Sequence, residues 1–486
     1  MDIGSVIDAL NKELGCNLDG SYYSYISQWN DWWSGYYKPF HEYREKYQNK
    51  VILRELYSMR MAKKICEDWA SLLMNDKTHI TSDSESSARF LQGENETGGM
   101  FRKLDFWVQE NALIEKAFAT GTGAAVLRFE NMLVKDRVVI PDAKSRLRID
   151  YLPAGGIIPI SVVGDRVTEA AFVSEVTSRG KPYVYVETHM LGATGYVIRN
   201  RFYAEDQGSL TPANLPAGVV DEYQTDSDIP LFSLVSPNTV KNLSGGTGLG
   251  MAIFANAIDE LKGVDLAFNN FCRDFKLGGK KVFYSKKLMS YDEKGNIITP
   301  DDIAMQLFMQ TGDGDDLDAD KSPLKEYNPL LRVSENQDGV QAMLDYLSFK
   351  VGFGTKHYQF NAGSIVTATQ YSGDKQDLVQ NASKHYIAVE RHVEQLVRAI
   401  LWAGKAVLGE DVDPDAAIIV DFDDSYIIDT AAQRRQDKED ALDGFVPKWM
   451  YNAKWRGMSE KDAKSAVMEA ASETADYEPM GFGGDA

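Results

Sequence analysis

The groups in this chain that could do chemistry are numerous but dispersed. Six histidines, at positions 41, 79, 189, 357, 385 and 392, fall at no spacing that would converge on one metal ion. Cys16, Cys66 and Cys272 lie far apart, which predicts neither a disulfide framework nor a zinc site and fits a reducing compartment. No serine occupies a Gly-x-Ser-x-Gly elbow. Two glycine turns invite a phosphate reading, Gly121-Thr122-Gly123 and Ser244-Gly245-Gly246-Thr247-Gly248-Leu249-Gly250. Neither ends in the Gly-Lys-Ser or Gly-Lys-Thr of a nucleotide loop, and the βαβ context is missing. The first reads as a helix stop and the second as a turn leading into a helix. The acidic run Asp313, Asp315, Asp316, Asp318 and Asp320 fails as a calcium loop. Lys321 stands where glycine is needed, and Tyr327 where a bidentate Glu belongs. The sequence therefore predicts no catalytic constellation, no cofactor and no metal. Catalytic groups can converge from distant positions, so a nuclease or glycosidase using the acidic clusters stays open as a rival.

Length and charge narrow the field. A chain of 486 residues suggests about three domains. Its 72 acidic and 52 basic residues leave a net charge of -20, which argues against a protein whose main act is gripping phosphates. DNA passing nearby without being held remains compatible. With no signal-peptide pattern and no apolar run near the roughly 18 residues of a membrane span, neither secretion nor insertion is expected.

The elements follow from periodicity. Aromatic residues crowd the start: Tyr22, Tyr23, Tyr25, Trp29, Trp32, Trp33, Tyr36, Tyr37, Phe40, Tyr43 and Tyr47. Few basic residues are interleaved, so packing at a subunit contact is favoured over base stacking. Helices are predicted over Leu53 to Met74 and Phe101 to Ala119. From Ala124 to Val235 short alternating runs predict strands, among them 125–129, 148–152, 171–173 and 183–186. The class is α+β. After the second glycine turn a helix carries Phe254, Ile258, Leu261, Val264, Phe268, Phe271 and Phe275 on one face, with Asp259, Lys262, Asn269, Arg273 and Asp274 elsewhere. An irregular module, Gly278 to Val333, begins basic at Lys280, Lys281, Lys286 and Lys287 and ends acidic. A helix over Gln337 to Lys350 follows.

The strongest periodicity comes last. Val379, Ala382, Tyr386, Val389, Val393, Leu396, Ile400, Ala403 and Val407 recur by threes and fours. Thr367 with Gln370 three residues on forms a capping box that predicts the start of this helix. Unbroken to Gly409, it would run about 60 Å. Before it, Gly352, Gly354 and Gly363 supply backbone freedom. A short strand is predicted at 417–422, then helices at 430–442, 447–456 and 459–471.

This order of elements resembles the portal proteins of tailed bacteriophages over nearly the whole chain. Trp29-Asn30-Asp31-Trp32-Trp33-Ser34-Gly35-Tyr36 resembles that family's early W-x-x-W/I-Y-x-G segment, and Lys63 to Leu73 its first wing helix. Thr367-Ala368-Thr369-Gln370 matches its Thr-Ala-Thr-Glu motif, with Gln keeping the capping chemistry. The resemblance implies a closed head-to-tail ring of about twelve copies. It implies a wing (1–243), stem helices (244–277 and 336–351) flanking a clip (278–335), a tunnel loop (352–366), a long wing helix (367–409), a wing strand (410–428), and a crown with tail (429–486). Double-stranded DNA would pass through the channel. Terminase large subunit would dock on the clip, later replaced by head-completion or adaptor protein, with major capsid and scaffolding proteins as further partners, and no membrane. The localisation implied is the capsid vertex of the virion, after assembly in the host bacterial cytoplasm. Phe353, Lys356, His357, Tyr358 and Phe360 would lie near DNA, with a basic patch of Arg273, Lys276, Lys280 and Lys281 at the stem and clip. Another virion structural protein, such as an adaptor or minor capsid protein, is the alternative.

Overall fold

The computed structural model describes residues 2–47, 50–75, 77–94, 97–206, 209–279, 281–285, 290–291, 293–295, 297–298, 308–311, 324–360, 376–422 and 430–475. The chain is a mixed helix and sheet structure in two compact units, Met1–Phe422 and Asp423–Ala486. Every strand expected between 124 and 235 is present inside a longer one. Arg166–Ser178, Lys181–Leu191 and Tyr196–Asp206 form consecutive antiparallel neighbours in an eight-stranded sheet. Gly123–Glu130, buried along nearly its whole length, pairs with Arg146–Pro153 and Phe232–Val235 in a second sheet. Arg128 joins the two sheets. Its Nε donates to Glu187 at 2.7 Å and its Nη1 to Asp150 and Ser174. Burial alone would raise the Glu187 carboxyl, but the Arg128 charge and the His189 hydrogen bond hold it below its usual range. Removing one partner of such a buried pair costs about 3–5 kcal/mol, whereas exposed pairs such as Arg89–Glu85 contribute about 0–1.

Three helices form the centre of the core. Met61–Leu73 contributes Ile65, Trp69 and Leu73, Phe106–Thr120 contributes Leu113, Ile114 and Phe118, and Gln376–Ala403 contributes Val389, Val393, Leu396 and Ile400, all buried to 1% exposure or less. The long helix keeps its predicted apolar face, widens into a π turn at Gly404–Leu408 and stops at Gly409, whose φ is +75°. Its expected cap, Thr367 with Gln370, lies outside the described residues. A buried hydrogen bond, between His392 Nε2 and Glu110 at 3.0 Å, binds it to Phe106–Thr120.

Several expectations are corrected. The aromatic segment does not wait for a partner: Tyr22, Tyr23, Trp29 and Trp32 are buried within the chain's own core. The helix read from Leu53 begins at Met61. Lys50–Glu55 is a strand paired with Glu42–Tyr47, because Val51 and Leu53 alternate with period two before any helical spacing begins. The helix after the second glycine turn begins at Ile258, following a tight turn at Ala255–Ala257. Its buried face includes Asp265 and Asn269, while Phe275 is half exposed. The module read as irregular contains a small sheet, with Lys281–Ser285 between Phe308–Thr311 and Leu324–Tyr327. The acidic run 313–320 lies outside the described residues. The last unit holds helices Thr430–Asp443, Lys448–Arg456 and Glu460–Ala475, close to the predicted bounds.

The glycine turns prove to be sites of close packing. A Cβ on Gly250 would sit 2.4 Å from the Gly121 carbonyl, and one on Gly246 would sit 2.4 Å from the Tyr22 ring. Tyr22 in turn donates its hydroxyl to the Gly250 carbonyl at 2.8 Å. The loop is shaped to let two backbones and a ring touch. Gly250→Ala is expected to lower unfolding free energy by about 1–3 kcal/mol. Gly155→Ala, where a Cβ meets nothing within 4 Å, should change it little. Denaturant unfolding of the two variants checks this, and equal effects would refute it.

Candidate functional site

The candidate site is the segment between the helices Val333–Lys350 and Gln376–Ala403, together with the side chains that root it. Val333–Lys350 packs along Ile258–Leu277, and its first turn meets the last turn of Ile258–Leu277. There the Arg332 backbone N–H (3.0 Å) and guanidinium (3.2 Å) donate to Asp274, joined by Asn336. These bonds hold the Asp274 carboxyl below its usual range. Higher up, buried Asp265 accepts from Ser58 Oγ (2.9 Å), the Met59 N–H (2.7 Å) and His41 Nε2 (3.0 Å). A carboxylate can only accept, so the His41 proton sits on Nε2, leaving Nδ1 to accept from the Tyr37 N–H at 2.8 Å. The Tyr57 N–H donates to Asn269. Asp265 and Asn269 thus fasten the helix to the segment at 37–59.

The segment leaves Lys350 through Gly352 and Gly354, both with positive φ. Its root is clamped from two sides. Trp69 Nε1 donates to the Val351 carbonyl at 3.2 Å, and Asn381 Nδ2 to the Gly352 carbonyl at 3.1 Å. Trp69 also stacks on Phe353 with centroids 4.6 Å apart, and Phe353 stacks on His357 at 4.3 Å. On the other side of Trp69, His385 meets its ring edge-on at 4.8 Å. A column of rings therefore runs from the core to the surface. Each such contact contributes about 0.5–1.5 kcal/mol beyond burial. Further along, Gln341 donates to the Tyr358 carbonyl (2.9 Å) and accepts from the Phe360 N–H (2.7 Å).

The predicted residues part company here. Phe353 and Tyr358 face the core, at 3% and 9% exposure. Burial, then the nearby Asp68 charge, pushes the Tyr358 phenol well above the usual range. Phe360 is half-buried, its ring edge-on to Phe271 at 5.7 Å, two residues before Arg273. Lys356 and His357 are exposed, and Lys356 holds a left-handed φ of +63°. Lys356 makes no ion pair among the described residues. Arg273 is half-buried and Lys276 exposed in the last turns of Ile258–Leu277, where cations complement the helix dipole. Lys281 begins a strand of the small sheet. Lys280 lies outside the described residues. The ring column and the Asp265 anchor went unseen in the sequence; the only signal for the latter was an acid at an apolar-face position, Asp265 next to Val264. Among the described residues no group of three or more His, Cys, Asp and Glu could hold a metal, and no helix is long and apolar enough to cross a membrane.

Two checks follow from this geometry. His385 Nδ1 accepts from the Asn238 N–H at 3.0 Å, and burial, helped by Lys384, lowers its pKa to about 3. The unfolded chain takes up the proton first, near pH 6.5. The stabilisation is therefore complete above that pH and is lost as pH falls toward 3. Compared with His385→Gln, the wild-type chain should lose up to about 1.4 kcal/mol more per pH unit between pH 6 and 4; parallel unfolding curves would refute this. Gln341→Ala should speed amide exchange at Phe360 by up to about tenfold, the worth of one hydrogen bond, with little change at Val351.

Residues 21–477 match the family model described as phage portal protein, SPP1 Gp6-like. Among solved structures the chain is similar to the neck of a native GTA particle computed with C12 symmetry, at 11% identity and TM-score 0.36, covering 81% of this chain and 88% of that one. It is similar also to the virion of a native gene transfer agent particle (11%, TM-score 0.35, 82% and 88%) and to the neck of an empty GTA particle computed with C6 symmetry (11%, TM-score 0.34, 80% and 87%). No curated protein matches it. With its family match extending over nearly its full length, the chain belongs to the phage portal proteins of the SPP1 Gp6-like family.

Proposed function

We propose that copies of this chain close into a portal ring of about twelve at the capsid vertex, through which double-stranded DNA enters and leaves. The observation that carries this reading is the family match over 21–477. The paired helices give physical support. Leu266, Phe275, Tyr346 and Phe349 are 44–66% exposed on them, large apolar side chains that a contact between copies would bury. In the ring 244–277 and 336–351 serve as the stem, 278–335 as the clip, 352–366 as the tunnel loop, 367–409 as the long wing helix, 410–428 as a wing strand and 429–486 as the crown. Terminase large subunit docks on the clip and drives the DNA, then yields the surface to head-completion or adaptor proteins. Major capsid and scaffolding proteins surround the ring, which assembles in the host cytoplasm. The chain itself acts as a passive conduit.

The charge suits sliding. A net -20 per copy, multiplied around a channel, repels phosphate in general, and a few exposed cations act locally. Lys356 and His357 are the best placed of the loop residues, because they are exposed on a firmly held root. Arg273 and Lys276 play the same part lower on the stem. Native mass spectrometry should show a closed multiple of the 54.3 kDa chain. A chain that stays monomeric at micromolar concentration overturns the portal reading, and a closed assembly without a central channel favours another virion structural protein. Lys356→Glu combined with His357→Glu should leave the ring intact and reduce packaged or retained DNA. Intact rings with normal packaging would sink the loop's assignment.

A further inference from the structure

The hairpin formed by Glu42–Tyr47 and Lys50–Glu55 is not accounted for by the fold. It is a two-stranded sheet with no third strand among the described residues, a form marginal in water without something to pack on. Its root is fixed, by the Leu56 N–H to the His41 carbonyl and by the Asp265 anchor. Beyond the root its register sets Val51 opposite Lys46 and Leu53 opposite Arg44. Directly paired residues share a face, so Val51, Leu53, Arg44 and Lys46 lie together. All four are exposed, Val51 and Leu53 at 60% and 56%. Arg54, on the opposite face, is committed to Glu45 at 2.9 Å. Neither Arg44 nor Lys46 makes an ion pair among the described residues. The face is thus apolar and basic on a chain that is strongly acidic.

A surface of matching chemistry exists on the helix Val333–Lys350. Helical spacing puts Glu335, Asp338, Ala342, Tyr346 and Phe349 on one side, and all five are exposed. Acids occupy its first half and exposed aromatics its second, with Tyr346 at 66% and Phe349 at 59%. We infer that the hairpin of one copy docks on this helix face of the next copy, Val51 and Leu53 against Tyr346 and Phe349, Arg44 and Lys46 toward Glu335 and Asp338. The proposal rests on the ring reading. It supplies what a head-to-tail contact requires, two different and complementary patches on each copy.

Two variants test it, each altering exposed positions only: Val51→Asp with Leu53→Asp, and Tyr346→Asp with Phe349→Asp. Each alone should fail to form rings while keeping the wild-type circular dichroism spectrum. Mixed in equal amounts, they should yield a heterodimer and nothing larger, because only one sound contact can form. In wild-type rings the outward-facing amides of residues 42–55 should exchange about tenfold or more slowly than in either monomeric variant. Rings of normal size from either variant, a mixture that stays monomeric, or equal hairpin exchange in ring and monomer would each overturn the docking while leaving the portal reading in place. A wild-type chain that forms no ring removes the portal reading itself, and the docking with it.

Discussion

The described core turns on Trp69. Its ring is fully buried, its Nε1 donates to the Val351 carbonyl, and it lies between Phe353 and His385. Those contacts join three pieces of chain far apart in sequence: the helix Met61–Leu73, the exit from Val333–Lys350, and the helix Gln376–Ala403. An indole suits this place because it buries a large area yet still satisfies one buried carbonyl. A phenylalanine would keep most of the burial and leave the Val351 carbonyl to find another donor. The exposed Lys356 and His357 therefore leave from a point that cannot shift without disturbing the centre of the core.

Polar groups set the position of the remaining parts where apolar burial cannot. A buried apolar face tolerates sliding and rotation, because area is nearly indifferent to direction. Asp265, with three donors converging on it, is not indifferent. It fixes both the rotation and the height of Ile258–Leu277 against the segment at 37–59. Arg128 does the same between the two sheets, and His392 with Glu110 between two core helices. Such groups add little net stability for their desolvation cost; what they specify is register. In a ring, where a small error per copy would accumulate around the circle, register is the quantity that must be held.

Much of the fold was legible in the sequence, and its gaps have physical causes. The long helix kept its apolar face from Ala382 to Val407, since a three-four pattern sustained over many turns leaves little alternative. Four of the strands between 123 and 191 were found, though shorter than they are, while Ile157–Val163 and Tyr196–Asp206 were not named. The aromatic segment was misjudged because composition shows that Trp29 and Trp32 need burial without showing what buries them. The end of the hairpin strand Lys50–Glu55 was absorbed into a helix because Leu53, three residues before Leu56, fits both periods. The glycines at 121, 246 and 250 were visible, but their reason is a contact between turns more than a hundred residues apart. Asn269 was set on the outer surface of its helix by polarity alone and Asp265 passed unremarked, because the partners of both come from 41–59.

The same geometry bears on how a conduit can hold DNA loosely. Tight binding would follow from many converging cations, and the described part of the loop offers only Lys356 and the titratable His357. Both sit just beyond two glycines, at the tip of a segment whose two ends are pinned, by Trp69 and Asn381 on one side and by Gln341 on the other. Pinning keeps the reach of these groups short, so in the proposed conduit each would touch a passing phosphate without following it. A longer, freer loop would trail along with the DNA and act as a brake. The chain's net charge of -20 suits that proposed role, since general repulsion would end each contact as readily as the cation begins it.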